Sequence, residues 1–143
     1  MTISRLILPA LLLLAGCKGH DAAPKVSQAW IRLPAVPGQP AAAYFTLRAD
    51  GETVVRIETA MAKRTEMHET MAGEHGMMTM APLDRVDVHG TVTFAPGGKH
   101  AMIFGLDPVV TPGTAVPLRF GFASGKIAEA EAKTVAAGDG APY

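Results

Sequence analysis

The 143-residue chain has one cysteine, Cys17, placed at the end of its amino-terminal apolar segment. With that residue modified, the remainder has no thiol, so it has no disulfide and no thiolate metal ligand. Blue-copper and binuclear copper electron carriers need cysteine and are excluded on that ground. Basic residues are not clustered, and the 13 Lys and Arg balance the 13 Asp and Glu, which argues against a nucleic-acid partner. No apolar run reaches the roughly 20 residues needed to span a bilayer. No stretch keeps a helical period, and the Ser, His and acidic residues form no recognisable nucleophile motif, so catalysis is not expected.

What is present begins with a leader. Residues 1–16, "MTISRLILPALLLLAG", join one positive charge at Arg5 to a short apolar run and small residues, the pattern of a secretory signal. The run ends at Leu14-Ala15-Gly16-Cys17, which resembles a bacterial lipobox. That resemblance implies lipidation of Cys17, which becomes the first mature residue in the cell envelope, with the membrane contacted only through the lipid. Removing Arg5 with the signal leaves one more acidic than basic residue. Residues 17–26 read as a polar tether, 27–135 as one domain with a real core, and 136–143 as a flexible tail.

Within the domain, "SQAWIRL", "AAYFTLRA", "ETVVRIETA", "TVTFA", "AMIFGL", "VPLRFGF" and "IAEAEAKTV" are each of strand length. They are separated by turn-forming segments such as "PAVPGQP", "ADGE", "HG", "APGGK" and "ASGK". Short strands with such punctuation predict an all-β antiparallel sandwich or barrel. Residues 127–135 would also suit a helix by Ala and Glu content. A hairpin about Ser124-Gly125 favours the strand.

Six of the eight methionines and four of the five histidines lie between Met67 and Met102. A thioether is ordinarily core filler, and only the clustering with histidine changes that expectation. On a strand, residues i and i+2 share a face, so His100 and Met102 project together, as do Met78 and Met80. "GEHG" reads as a turn whose flanks pair, bringing His68 near Met80. Two imidazoles and two thioethers form a neutral, soft donor set suited to Cu(I) rather than zinc, calcium or magnesium. Thioethers also cannot be lost to disulfide formation outside the cytoplasm, although oxidation to sulfoxide remains a weakness.

These residues resemble the periplasmic copper chaperones of the PCu(A)C type. Their signature is His, ten residues, Met, twenty-one residues, then His-x-Met. His68, Met80, His100 and Met102 take those roles, within "MHETM", "MTMAP" and "FAPGGKHAMIFGL". Upstream, "AWIRLPAVPGQPAAAYFTL" is similar to the family's opening strands, and the likeness spans roughly residues 28–121. Two spacings depart: eleven residues separate His68 from Met80, and nineteen separate Met80 from His100. The extra residue is assigned to the "AGEHG" turn and the missing two to a turn at "VDVHG", which leaves Met78 as a rival ligand. The carboxy-terminal segment lacks the Met/His-rich tail found in some members, so no tail site is expected.

The resemblance implies a cupredoxin-like, immunoglobulin-like Greek-key sandwich with a shallow site for one Cu(I). It further implies delivery to a copper-accepting protein, either a haem-copper oxidase subunit or a Sco-type thiol chaperone. Buffering without delivery is the alternative. His75, in the turn beside the site, is a candidate contact for an auxiliary Cu(II). His20 and His89 read as surface, Met67 as core, and Met71 and Met77 as rim or packing. Trp30, Arg32 and Tyr44 read as structural, the rings packing the core with one polar atom satisfied.

Overall fold

The computed structural model describes residues 22–143, so the leader, Cys17 and His20 lie outside the described residues. Eight strands follow in order: β1 Lys25–Arg32, β2 Ala41–Glu58, β3 Arg64–Ala72, β4 Met78–Leu83, β5 Val86–Phe94, β6 Lys99–Phe104, β7 Ala115–Phe122 and β8 Ile127–Val135. Pairing is antiparallel except between β1 and β8. The all-β reading holds, and residues 127–135 are a strand. Ala128, Ala132 and Thr134 are buried there, alternating with exposed neighbours.

Strand β2 organises the sheet. Along one edge it pairs first with β1 and then with β7; along the other it pairs with β6 and then β5. Because β8 joins β1 to β7, strands β2, β1, β8 and β7 close into a barrel-like circuit. On the opposite side the order runs β2-β6-β3-β4, and β4 is an edge strand.

Two expected turns are instead bulged strand. "ADGE" does not reverse the chain: Gly51, at φ 69°, sits where the β2–β5 register slips between Asp50 and Glu52. A left-handed residue of this kind bends a strand without ending it. "VDVHG" lies within β5, where Val86 and Val88 are buried and Asp87 and His89 exposed. Gly90, at φ 86°, pairs with Ala49 beside the same bulge, so the chain turns at Asp84-Arg85 instead.

The core is shared by the closed circuit and by β3, β5 and β6, which contribute Met67, Val88, Phe94 and Ile103. Phe45 stacks on Phe94 with ring centroids 4.3 Å apart and meets Phe120 edge-on at 4.8 Å. Ile31, Leu47, Val54, Ile103 and Leu118 complete it. Losing one such ring typically costs about 3–5 kcal/mol, enough to threaten a domain this small.

The segment 136–143 forms no strand, yet it is held against the sheet. Arg32 Nε donates to the Asp139 carbonyl at 3.1 Å, and Tyr143 Oη donates to the Ala29 carbonyl at 3.0 Å. Lys133 Nζ lies 4.4 Å from the Tyr143 ring centroid. This differs from the free tail expected from composition, because the paired groups come from strands remote in sequence.

Candidate metal site

Strand β3 lies between β6 and β4, and its alternation sorts the His/Met cluster onto two faces. Met67 pairs with Ala101 and points into the core, where both are buried. His68, one residue on, projects from the opposite, outer face. Its direct partner on β6 is His100, and its direct partner on β4 is Pro82. Directly opposed residues have Cβ atoms about 4.5–5.5 Å apart. The two imidazoles accordingly have centroids 6.0 Å apart, tilted by 47°.

Met102 follows His100 on the same face and stands opposite Glu66. Met80 stands opposite Thr70, two residues beyond His68, again on the outer face. Met78 shares that face but lies one further step out, opposite Ala72. Thr79, at the family's strict position, faces the other way with Met71. The hairpin read from "GEHG" is therefore present, closed by Gly73 N–H donating to the Met77 carbonyl at 2.6 Å.

Exposure is graded across the cluster. His100 is 7 % exposed, the His68 side chain 15 %, and Met80 56 %. Met71, Met77 and Met78 are also exposed. His75 occupies the short 3-10 turn at φ 59°, away from His68 and His100. The expected four ligands thus share one face of three adjacent strands, while His75 sits at the hairpin tip.

The ring nitrogens are not equivalent. His100 Nδ1 lies 3.0 Å from the Gly98 carbonyl, an acceptor only, so it carries the proton and leaves Nε2 bare. His68 Nε2 lies 3.1 Å from Glu66 Oε2, while its Nδ1 is buried without a hydrogen-bond partner among the described residues. An orphaned buried nitrogen is uncommon in a folded protein and suits a site that takes a cation there. Among the described residues no group of three or more His, Cys, Asp or Glu is placed to hold a metal ion. The donors at hand are imidazole and thioether, which fit Cu(I) rather than a hard ion.

Glu66 is a site residue that the search for soft-metal donors in the sequence does not reach. Its signal was available: two residues before His68 on a strand, it must share the histidine's face. Arg64 Nε donates to Glu66 Oε1 at 2.8 Å, and the Arg64 guanidinium lies 4.0 Å from the Phe104 ring centroid. Hydrogen bonding to Arg64 first, and then to His68, lowers the Glu66 pKa from the ordinary carboxylate value. On the face opposite the site, the one that holds Met67 and Ala101, Lys99 Nζ and Glu69 Oε1 pair at 2.7 Å, tying β6 to β3.

Trp30 and Tyr44 are buried, as expected, but they face outward. A bulge at Gln28, φ 51°, shifts the β1 register between Ser27 and Trp30, turning Ile31 into the core and Trp30 away from it. The rings lie 4.6 Å apart, and the Arg32 guanidinium sits 5.1 Å from Trp30 and 5.7 Å from Tyr44. Burial raises the Tyr44 phenol pKa, opposed by Arg32. Ala42 joins this layer to the site, pairing with Arg32 on one side and Met102 on the other.

Known proteins share this fold. The copper-bound PCuAC domain from PmoF2 superposes with a TM-score of 0.66 at 19% identity, covering 81% of this chain and 95% of that one. The apo PCuAC domain from PmoF1 gives 0.63 at 18% identity, covering 81% and 96%. The solution structure of CuI-DR1885 from Deinococcus radiodurans gives 0.60 at 23% identity, covering 84% and 82%. No curated protein matches the sequence significantly. A family model for LpqE-like lipoproteins matches residues 25–134, most of the chain. The chain therefore belongs to the LpqE-like family and has the fold of a PCuAC domain.

Proposed function

We propose that this protein binds one Cu(I) through His68, Met80, His100 and Met102 and delivers it to a copper-accepting protein in the bacterial envelope. The observation that carries this reading is the His68–His100 pair, opposed on one outer face with the two methionines beside it. Met80 is preferred to Met78 because it is a single diagonal step from His68, a separation of roughly 7–8 Å or somewhat less between Cβ atoms, and Met78 is two steps away. The copper named for PmoF2 and DR1885, on the same fold, supports it as well.

Exchange begins at the exposed edge. Cu(I) is the cargo, and an incoming thiolate displaces Met80 first, because of the four ligands it alone lies on the edge strand and is the most open to solvent. His100 is released last, being nearly buried and held by the Gly98 carbonyl. Transfer from neutral donors to thiolates runs downhill for a soft ion. A Sco-type thiol chaperone or a haem-copper oxidase subunit fits such an acceptor. Lipidation at Cys17 would hold the domain on the periplasmic side of a membrane. No helix among the described residues is long and apolar enough to cross one. An auxiliary Cu(II) at His75 is a further part of this reading.

The test is X-ray absorption on the Cu(I)-loaded protein beside Met80→Leu and Met78→Leu. A mixed nitrogen and sulfur shell that loses sulfur only in Met80→Leu is expected. Loss in Met78→Leu instead would move the ligand one step out, and the absence of stoichiometric copper would end the copper reading.

A further inference from the structure

We infer that Glu66 is a positioning residue that fixes His68 as the Nε2–H tautomer, so that His68 meets copper through Nδ1 while His100 meets it through Nε2. This rests on the copper reading above. Glu66 Oε2 accepts only, and it lies 3.1 Å from His68 Nε2. With the proton on Nδ1 instead, two lone pairs would oppose each other across that distance. The Nδ1–H would also be a buried donor without an acceptor among the described residues, which is costly in a folded protein. With the proton on Nε2 both defects vanish. The bond to Glu66 becomes charge-assisted, and the buried Nδ1 keeps a bare lone pair.

The carboxylate is itself anchored. Arg64 holds the other oxygen, Oε1, at 2.8 Å, and the Arg64 guanidinium rests on Phe104 of the neighbouring strand. Arg64, Glu66 and His68 alternate along the outer face of β3, opposite Phe104, Met102 and His100 on β6. The row therefore reaches from an aromatic platform through a guanidinium and a carboxylate to the imidazole. A carboxylate behind a metal-binding imidazole orients the ring and raises its basicity, and removing such a group typically costs 10–100-fold in metal affinity. His100 reaches the equivalent state by a backbone route, through the Gly98 carbonyl, and presents the opposite nitrogen.

The experiment uses the protein labelled with 15N-histidine, read by long-range proton–nitrogen spectra without copper and with Cu(I). Cu(I) affinity is measured by competition with a chromogenic chelator. In the copper-free parent, His68 should show the Nε2–H pattern and His100 the Nδ1–H pattern. On loading, the His68 Nδ1 resonance should move while Nε2–H persists. Glu66→Ala should mix the His68 tautomers, leave His100 unchanged and weaken Cu(I) binding about 10–100-fold. Glu66→Gln, which keeps a carbonyl acceptor, should recover part of the loss. Glu66 lies on the outer face and is only part-buried, and an unchanged His100 pattern certifies that the variants fold. A parent that binds copper with His68 as Nδ1–H overturns the inference alone. So does Glu66→Ala binding Cu(I) as tightly as the parent, or more tightly, since Glu66 would then be an occupant that copper displaces. A parent that takes up no copper removes the copper reading and this inference with it.

Discussion

His68 and His100 oppose each other across β3 and β6 with ring centroids 6.0 Å apart, and each has one nitrogen engaged by a protein group. The pairing follows from strand register, because Met67 and Ala101 on the other face are locked into the core. A slip of β3 by one residue would turn His68 into the core and Met67 out of it, so hydrophobic burial enforces the register of the site.

Removing either ring should therefore destroy Cu(I) binding without unfolding the sheet. His100→Ala is expected to lose more than about 100-fold in affinity, exceeding the usual effect of groups behind the ligands. His89→Ala, exposed on β5, should bind like the parent. Competition titration with a chromogenic Cu(I) chelator separates the two. Equal affinity in His100→Ala would reject the site.

Much of this was legible in sequence because a strand period of two is decided locally. His100-Ala101-Met102 and the hairpin about "GEHG" contain their own face assignment. The errors came where the local signal is degenerate. Gly51 and Gly90 favour a turn and a bulge equally, and only the neighbouring strand decides between them. Trp30 reads as core in the sequence because nothing around Gln28 announces a bulge that exchanges the faces of β1. Glu66 is not singled out by ligand chemistry, because a carboxylate is a hard donor and does not itself suit a soft metal.

Glu52 anchors the bulged region to the β7–β8 turn. Lys126 Nζ lies 2.8 Å from Glu52 Oε1, and Ser124 Oγ donates to Oε2 at 2.6 Å. The hydrogen bond from Lys126, then that from Ser124, holds the Glu52 carboxyl below its ordinary pKa. A group depressed in the folded state adds stability above its unfolded pKa and loses it as pH falls through the folded value. Glu52→Gln should consequently melt below the parent at pH 7, with the gap closing in acid below about pH 4. Thermal unfolding followed by circular dichroism across pH 3–7 measures this, and a gap that does not change with pH would refute it.

The carboxy-terminal segment should shield the outward-facing aromatic layer. Trp30 is the sole tryptophan, and it shares a surface depression with Ala141 and Tyr143. Deleting residues 137–143 removes Tyr143 and the Asp139 carbonyl that holds Arg32. Trp30 emission should shift to longer wavelength, and an added neutral quencher should reach it more readily. The phenylalanine core is untouched, so cooperative unfolding should persist. An emission spectrum identical to the parent's would show that the segment does not cover the ring.

Gly73 sets the closure of the β3–β4 hairpin, and with it the placement of Met80. Its φ of −87° is one that any residue adopts, so conformational freedom is not what the position needs. Space is: an added Cβ would lie 2.9 Å from the Met77 carbonyl oxygen and 3.3 Å from Thr79 Cγ2. The first contact is with backbone and cannot be relieved by a rotamer change. Gly73→Ala should therefore strain the 2.6 Å bond from the residue-73 amide to the Met77 carbonyl by about 1–3 kcal/mol, the usual cost of overpacking. Amide exchange at that position should accelerate by roughly 5- to 150-fold, while the β5 and β7 amides keep their protection. Cu(I) affinity should fall with it, because the hairpin supplies the outermost ligand. Unchanged exchange at residue 73 would mean that the hairpin accommodates the methyl group and that the glycine is dispensable.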